Sequence, residues 1–313
     1  MLVLQVLAWV ALLIVAGSQV ARHLTVARQP IIIVATLAPY FSFVGVVSLI
    51  LFAMAGSLIG VLLASAAVVW VLASAARPFL GRRVAPSGPP SLTVLTSNAF
   101  LGLADAEGVL AAIRSSEADL VALQEIPAEL LEELQRLGID DLLPHCVLAP
   151  APLWAGAALW SRYPLRDARV EVVDQLYRVA AVAGVHPDEP ERDPYVASLH
   201  IHAPWPPAPE PWVRQLAELG DELATIEHPV IAMGDFNATL DHAPFRALLR
   251  TGLFDAAVSV RAWPAFTYPG NRAMPALIAI DHVLTRGLVA TSLQTLPIKG
   301  SDHHAIVARL ADC

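Results

Sequence analysis

Long uncharged apolar runs fill the first quarter of the chain, and short apolar runs broken by polar clusters fill the rest. The long runs extend from Leu2 to Val20, Ile31 to Met54 and Leu58 to Ala76, and none carries a charged side chain. Each is close to the roughly 20 residues that cross the hydrocarbon core of a bilayer as a helix. Pro39, Gly45 and Gly60 inside them are tolerated in spanning helices. The pattern predicts a helical membrane region over residues 1–76, a basic then Pro-rich linker over 77–90, and a separate domain over 91–313. Pro86, Ser87, Gly88, Pro89 and Pro90 make the linker short and stiff.

Past the linker the periodicity changes. Apolar, partly β-branched runs at Leu92–Thr96, Leu120–Leu123, Ala157–Trp160, Val170–Val173, Val179–Val185, Val196–Ile201, Val230–Met233, Ile278–Leu284 and Ala305–Leu310 read as strands. Helical spacing occupies Ala106–Ile113, Pro127–Leu137, Trp212–Ile226 and Phe245–Leu249. This mixture predicts an α/β domain in which two sheets pack together and helices cover the outside.

Charge adds to the picture because it is unevenly placed. Residues 1–90 hold five arginines (Arg22, Arg28, Arg77, Arg82, Arg83) and no Asp or Glu, leaving 15 Lys/Arg against all 28 Asp/Glu in the remainder, a formal charge of −13. A domain so acidic disfavours stable binding of duplex nucleic acid along a basic face. With three spans, all five arginines share a side with the domain over 91–313, and the positive-inside rule makes that side cytoplasmic. The expectation is an integral, multi-pass membrane protein with the bilayer as a partner. Cys146 and Cys313 have no CxxC spacing and read as two unpaired thiols.

The candidate chemistry sits at the strand ends. The first strand ends Ser97-Asn98, the second Gln124-Glu125, and a later one runs Leu199-His200-Ile201-His202. Then come Gly234-Asp235-Phe236-Asn237, Ile280-Asp281-His282 and Gly300-Ser301-Asp302-His303-His304. Carboxylates, amides and imidazoles at successive strand ends of one domain point to a single convergent site. No GxSxG elbow is present, so no serine nucleophile is indicated.

On TSNAF (96–100), DLVALQEI (119–126), GAALWSRYP (156–164), SLHIHAP (198–204), VIAMGDFNATL (230–240), AIDHVL (279–284) and GSDHHAIVA (300–308), the chain resembles the endonuclease/exonuclease/phosphatase superfamily. The resemblance runs from Leu92 to Leu310. It implies a four-layer α/β/β/α sandwich and a metal-dependent hydrolase of phosphate esters, using Mg²⁺ or Mn²⁺. By the same resemblance Asn98, Glu125 and Asp302 belong to the metal region. Asp235 orients or deprotonates the attacking water, Asn237 contacts the phosphate, and His303 contacts the scissile phosphate with Asp281 holding it. His200 matches the family's central histidine. His202, two residues on, shares its strand face. Phe100 stands where several relatives carry an aspartate. His282 and His304 alternate away from the matched positions and read as structural or exposed. Trp205, Trp212 and the Trp263–Tyr268 segment read either as walls of the substrate cleft or as ordinary packing.

The expected function is a membrane-anchored phosphoesterase acting by direct water attack on a phosphodiester or phosphomonoester, with a lipid or other membrane-associated substrate. A nuclease acting on single-stranded or small nucleic acid, and an inactive membrane scaffold, are the competing readings. The intact set of matched residues disfavours the scaffold.

Overall fold

The computed structural model describes residues 1–80, 84–206, 208–262, 265–270 and 275–313. Arg82, Arg83 and Trp263 therefore lie outside the described residues. The chain forms two compact units.

The first unit comprises Met1–Arg82 with residues 204–213 and 239–246. It contains α1 (Leu2–Ala21), α2 (Gln29–Thr36), α3 (Phe41–Met54) and α4 (Leu58–Ala76), each without a charged residue in its run. Two helices, Leu2–Ala21 and Leu58–Leu80, are long and apolar enough to cross a membrane. The middle run differs from a single straight span. Gln29–Thr36 and Ala38–Met54 meet at a bend of 58°. A 3-10 turn at Ala38–Tyr40 occupies the break, and Pro39 explains it, because proline has no N–H for the ladder and clashes with the preceding turn. A third span exists only if this bent pair counts as one. Small residues let the helices approach: Ser48 donates to the Ala8 carbonyl at 2.8 Å, and Gly60 lies where a Cβ would overlap the Phe52 ring.

The second unit takes the remaining residues. One six-stranded sheet has the order β11-β12-β1-β2-β4-β3. Its strands are β1 (Leu92–Asn98), β2 (Leu120–Gln124), β3 (His145–Ala149), β4 (Ala157–Ser161), β11 (Leu288–Pro297) and β12 (His304–Asp312). The other has the order β5-β6-β7-β8-β10-β9. It uses β5 (Leu165–Val173), β6 (Leu176–Ala183), β7 (Tyr195–His200), β8 (Val230–Asp235), β9 (Phe254–Asp255) and β10 (Asp281–Arg286). The alternating side chains Leu92, Val94, Leu120 and Ala122 from one sheet meet Val179, Ala181, Val196, Ile231 and Met233 from the other in a fully buried core. The opposite face of the first sheet packs on α5 (Ala106–Ser116) and α6 (Ala128–Arg136) through Val109, Leu110, Ile113, Leu130 and Leu134. Leu219 and Leu223 of α8 (Glu210–Ala224) lie against β6 and β7. The result is the two-sheet α/β/β/α sandwich the sequence pattern implied.

Parallel pairing of β1 with β2 and of β7 with β8 brings Asn98, Gln124, His200 and Asp235 to the same ends of their strands. β10 and β12 run antiparallel to β8 and β1, so their first residues, Asp281 and His304, arrive at that end as well.

Candidate active site

Asn98, fully buried at the end of β1, organises the centre of the cluster. Its Nδ2 donates to Glu125 Oε1 and to Asp235 Oδ2, each at 3.0 Å. Its Oδ1 accepts from the Phe100 backbone at 2.9 Å. Through these two bonds Asn98 orients both carboxylates. Glu125 follows β2 with a left-handed backbone (φ 57°) that turns its side chain back. Its Oε2 accepts the Leu101 N–H at 2.6 Å.

His200 Nε2 lies 3.8 Å from both Glu125 Oε1 and Asp235 Oδ2. Its Nδ1 is 3.1 Å from the Trp154 carbonyl. A carbonyl only accepts, so Nδ1 carries a proton and Nε2 faces the carboxylates. His202 is outside this cluster: its backbone is held by Gln215 at 2.9 Å and burial lowers its pKa.

Asp235 closes the ring of contacts. Gly234 before it adopts φ +145°, and a Cβ there would overlap the Leu199 carbonyl. Only glycine lets β8 approach β7 so closely. Asp235 Oδ1 accepts the Asn237 N–H at 2.8 Å. Burial, then Asp281, push the Asp235 carboxyl up to about 6 against His303 and His200. Asn237 (φ 48°) donates from Nδ2 to the Ile201 carbonyl at 2.9 Å, leaving that nitrogen's second hydrogen.

His303 donates from Nδ1 to Asp281 Oδ2 at 2.8 Å, and its Nε2 is 3.8 Å from Asp235 and from Asp302. Burial pulls the imidazolium pKa down, but Asp281, Asp235 and Asp302 outweigh it and push it up to about 10. Tyr268 tilts over the ring with centroids 5.0 Å apart. Asp281 Oδ1 is buried and accepts no hydrogen bond among the described residues. Asp235, Asp281 and His303 have ligand atoms all within 4.8 Å of one another. With His303 Nδ1 engaged by Asp281, the donors that fit a divalent cation here are the carboxylate oxygens, the unpartnered Asp281 Oδ1 among them.

The remaining expectations divide. His282 is a buried brace, 2.6 Å from Asp255 and 2.8 Å from the Ala238 carbonyl. His304 contacts the Gly270 carbonyl at 3.0 Å. Trp212 is buried and packs edge-on to His242 in the first unit, 5.1 Å between centroids, so it is packing there. Trp205 is exposed. Cys146 and Cys313 are free. Sequence reasoning missed three supports. Ser301 donates to the Asn98 carbonyl at 2.8 Å, Thr267 Oγ1 accepts from Asp281 N at 3.3 Å, and the Trp154 carbonyl holds His200. Only Ser301, inside GSDH, carried a local signal.

A two-sheet sandwich with carboxylates and imidazoles gathered at one end of both sheets is the architecture shared with solved endonuclease/exonuclease/phosphatase structures. The chain belongs to the endonuclease/exonuclease/phosphatase family, whose sequence pattern matches residues 95–303. No curated protein matches it. Among solved structures it is similar to an endonuclease/exonuclease/phosphatase from Beutenbergia cavernae DSM 12333, at 19% identity over 71% of each chain with a TM-score of 0.53. It is also similar to D. rerio TDP2 complexed with single-strand DNA product, at 15% identity over 70% of this chain and 98% of that one, TM-score 0.57. The 3'-5' exonuclease NExo from Neisseria meningitidis matches at 18% identity over 70% and 100%, TM-score 0.53.

The His303–Asp281 contact makes a direct prediction. His303→Ala and Asp281→Ala are each expected to lower phosphate-ester turnover, and to couple by about 0.5–3 kcal/mol in a double-mutant cycle, because one side chain orients the other. Additive barriers would show that the two do not act as a pair.

Proposed function

We propose that the chain is a membrane-anchored, divalent-metal-dependent phosphoesterase that hydrolyses a phosphodiester or phosphomonoester of a lipid or other membrane-associated substrate. The observation that carries this reading is the convergence of Glu125, His200, Asp235, Asp281 and His303 around Asn98. Asn98, Glu125 and Asp302 would hold the Mg²⁺, and Mn²⁺ would serve the same oxygen donors. When bound, the cation neutralises charge on the phosphoryl and leaving oxygens.

The protein's own groups do the rest. Asp235, poised near neutrality and fixed by Asn98 and the Asn237 N–H, aligns and deprotonates the attacking water. The cationic His303, held by Asp281, and the Asn237 amide stabilise negative charge developing on the phosphoryl oxygens. His200 Nε2 lies beside the same carboxylates, within reach of a substrate at the site.

A nuclease reading draws on the neighbour solved with a single-strand DNA product and on the 3'-5' exonuclease; the domain's charge of −13 weighs against it. A panel on the full-length protein in detergent separates them: bis(p-nitrophenyl) phosphate, phospholipids, inositol phosphates, and single- and double-stranded DNA. Turnover confined to DNA would replace the lipid assignment.

Topology belongs to the same proposal. With the bent pair counted as one span, Arg22, Arg28 and Arg77 share the side of the catalytic domain, and that side is cytoplasmic. A fluorescent-protein fusion after Cys313 should be bright and an alkaline phosphatase fusion silent. The reverse pattern would place the domain outside.

A further inference from the structure

Two loops flank the candidate active site, and both present bare apolar side chains. The first follows β1. Its Leu101 and Leu103 are 38% and 60% exposed, and the Leu101 N–H is the donor to Glu125 Oε2. The second joins β3 to β4. Its Leu153 and Trp154 are 54% and 45% exposed, and the Trp154 carbonyl is the partner of His200 Nδ1. Glu125 and His200 lie 3.8 Å apart. The backbones of the two loops therefore contact neighbouring groups of the site, while these four side chains are exposed to solvent.

Isolated exposed leucines need no explanation, but four large apolar side chains bare on the two loops that contact a polar site do. The left-handed conformation of Phe100, Leu101 and Leu153 (φ 47°, 56° and 59°) costs energy in non-glycine residues, and these are the residues that carry or precede the exposed groups.

We propose that this rim, Leu101, Leu103, Leu153 and Trp154, docks on the surface of a lipid bilayer, so that the site takes its phosphate ester from the lipid–water interface. The proposal rests on the phosphoesterase reading and adds where the substrate lies. Composition selects the occupant. Residues 99–105 and 150–156 contain no Lys or Arg, and the domain as a whole carries −13. A nucleic acid strand requires cationic side chains along its backbone. A zwitterionic bilayer requires apolar side chains that enter the headgroup boundary, with tryptophan favoured at that depth. The two apolar N-terminal helices long enough to span a membrane tether the domain to such a surface, which keeps the local concentration of bilayer high.

The test reads position, not turnover. Full-length protein with Cys146→Ser and Cys313→Ser receives Leu103→Cys or Leu153→Cys, each labelled with a polarity-sensitive fluorophore. Thr291→Cys serves as the control. It is exposed and lies on β11 beside Arg309, towards the end of the sheet away from the site. The labelled chains are reconstituted in phosphatidylcholine vesicles and quenched with nitroxide-bearing lipid or aqueous iodide. Labels at 103 and 153 should be quenched by the lipid nitroxide at least roughly twofold more than the label at 291, as expected for side chains about 5–10 Å into the interface. Equal quenching by lipid at all three positions would overturn the proposal. So would shielding from iodide that appears only when a single-stranded oligonucleotide is added, which assigns the rim to nucleic acid. Because Glu125→Gln should leave the quenching pattern unchanged, an inactive enzyme with lipid-quenched labels sinks the catalytic reading alone. Active enzyme with water-exposed labels sinks the rim alone.

Discussion

Glu125→Gln and Asp235→Asn should each lower phosphate-ester turnover at least roughly 10²-fold while the protein stays folded, the scale set by losing a metal ligand or a positioned base. Both replacements keep size and shape and remove a charge. Glu125 accepts from Asn98 and Leu101, and Asp235 from Asn98 and Asn237. A neutral amide in either place keeps one acceptor oxygen and turns the other into a donor, so one of the two bonds is lost; secondary structure should persist while the unfolding midpoint falls modestly. What disappears is the negative charge that attracts a cation or takes a proton from water. Excess EDTA should abolish the same activity, and added Mg²⁺ or Mn²⁺ should restore it. Undiminished turnover in EDTA would remove the metal from the mechanism. Full activity of Asp235→Asn would remove the base.

The strands that position this site were legible because they are buried on both faces. β1, β2, β7 and β8 read as continuous apolar runs, and their polar ends stood out against them. The missed strands are at or next to sheet edges. β11 is an edge strand whose pattern of buried and exposed positions is irregular over Leu288–Pro297, with a register shift between Ala290 and Ser292. β3 edges the same sheet with an exposed Cys146. β9 has two residues, too few to leave a periodicity. Motif spacing likewise named groups that the fold brings together at one end of the sheets but not those that hold them. Asp255 pairs with His282 across 27 positions of sequence, and Trp154 holds His200 through a backbone carbonyl that any residue could supply. Such contacts are products of tertiary packing and leave no local trace.

Arg22 shows the same limit. In sequence it counts as one of five charges that orient the membrane region. In the structure its guanidinium lies 2.7 Å from Asp241, with the two side chains 8% and 13% exposed. It also donates to Gln19 and to the Ser74 carbonyl. Beside this pair, His242 accepts from Thr239 N at 2.9 Å through Nδ1 and meets Thr36 Oγ1 at 2.9 Å through Nε2. The segment 239–246 is thereby fixed within the first unit, a few residues after Asn237. Arg22→Met should cost about 3–5 kcal/mol at pH 7, since it strands a buried carboxylate, whereas Arg22→Met with Asp241→Leu should recover most of the loss. Burial already raises the Asp241 pKa against the pull of Arg22 and Arg246, and losing Arg22 raises it further. A carboxyl with a raised folded pKa binds its proton more tightly folded than unfolded, so its penalty grows as pH climbs from the unfolded carboxylate value through the folded one. The deficit of Arg22→Met should therefore be smaller near pH 4 than at pH 7. Denaturant unfolding of the full-length protein in detergent micelles measures both effects, and a single variant as stable as the parent at pH 7 would show that the pair contributes nothing.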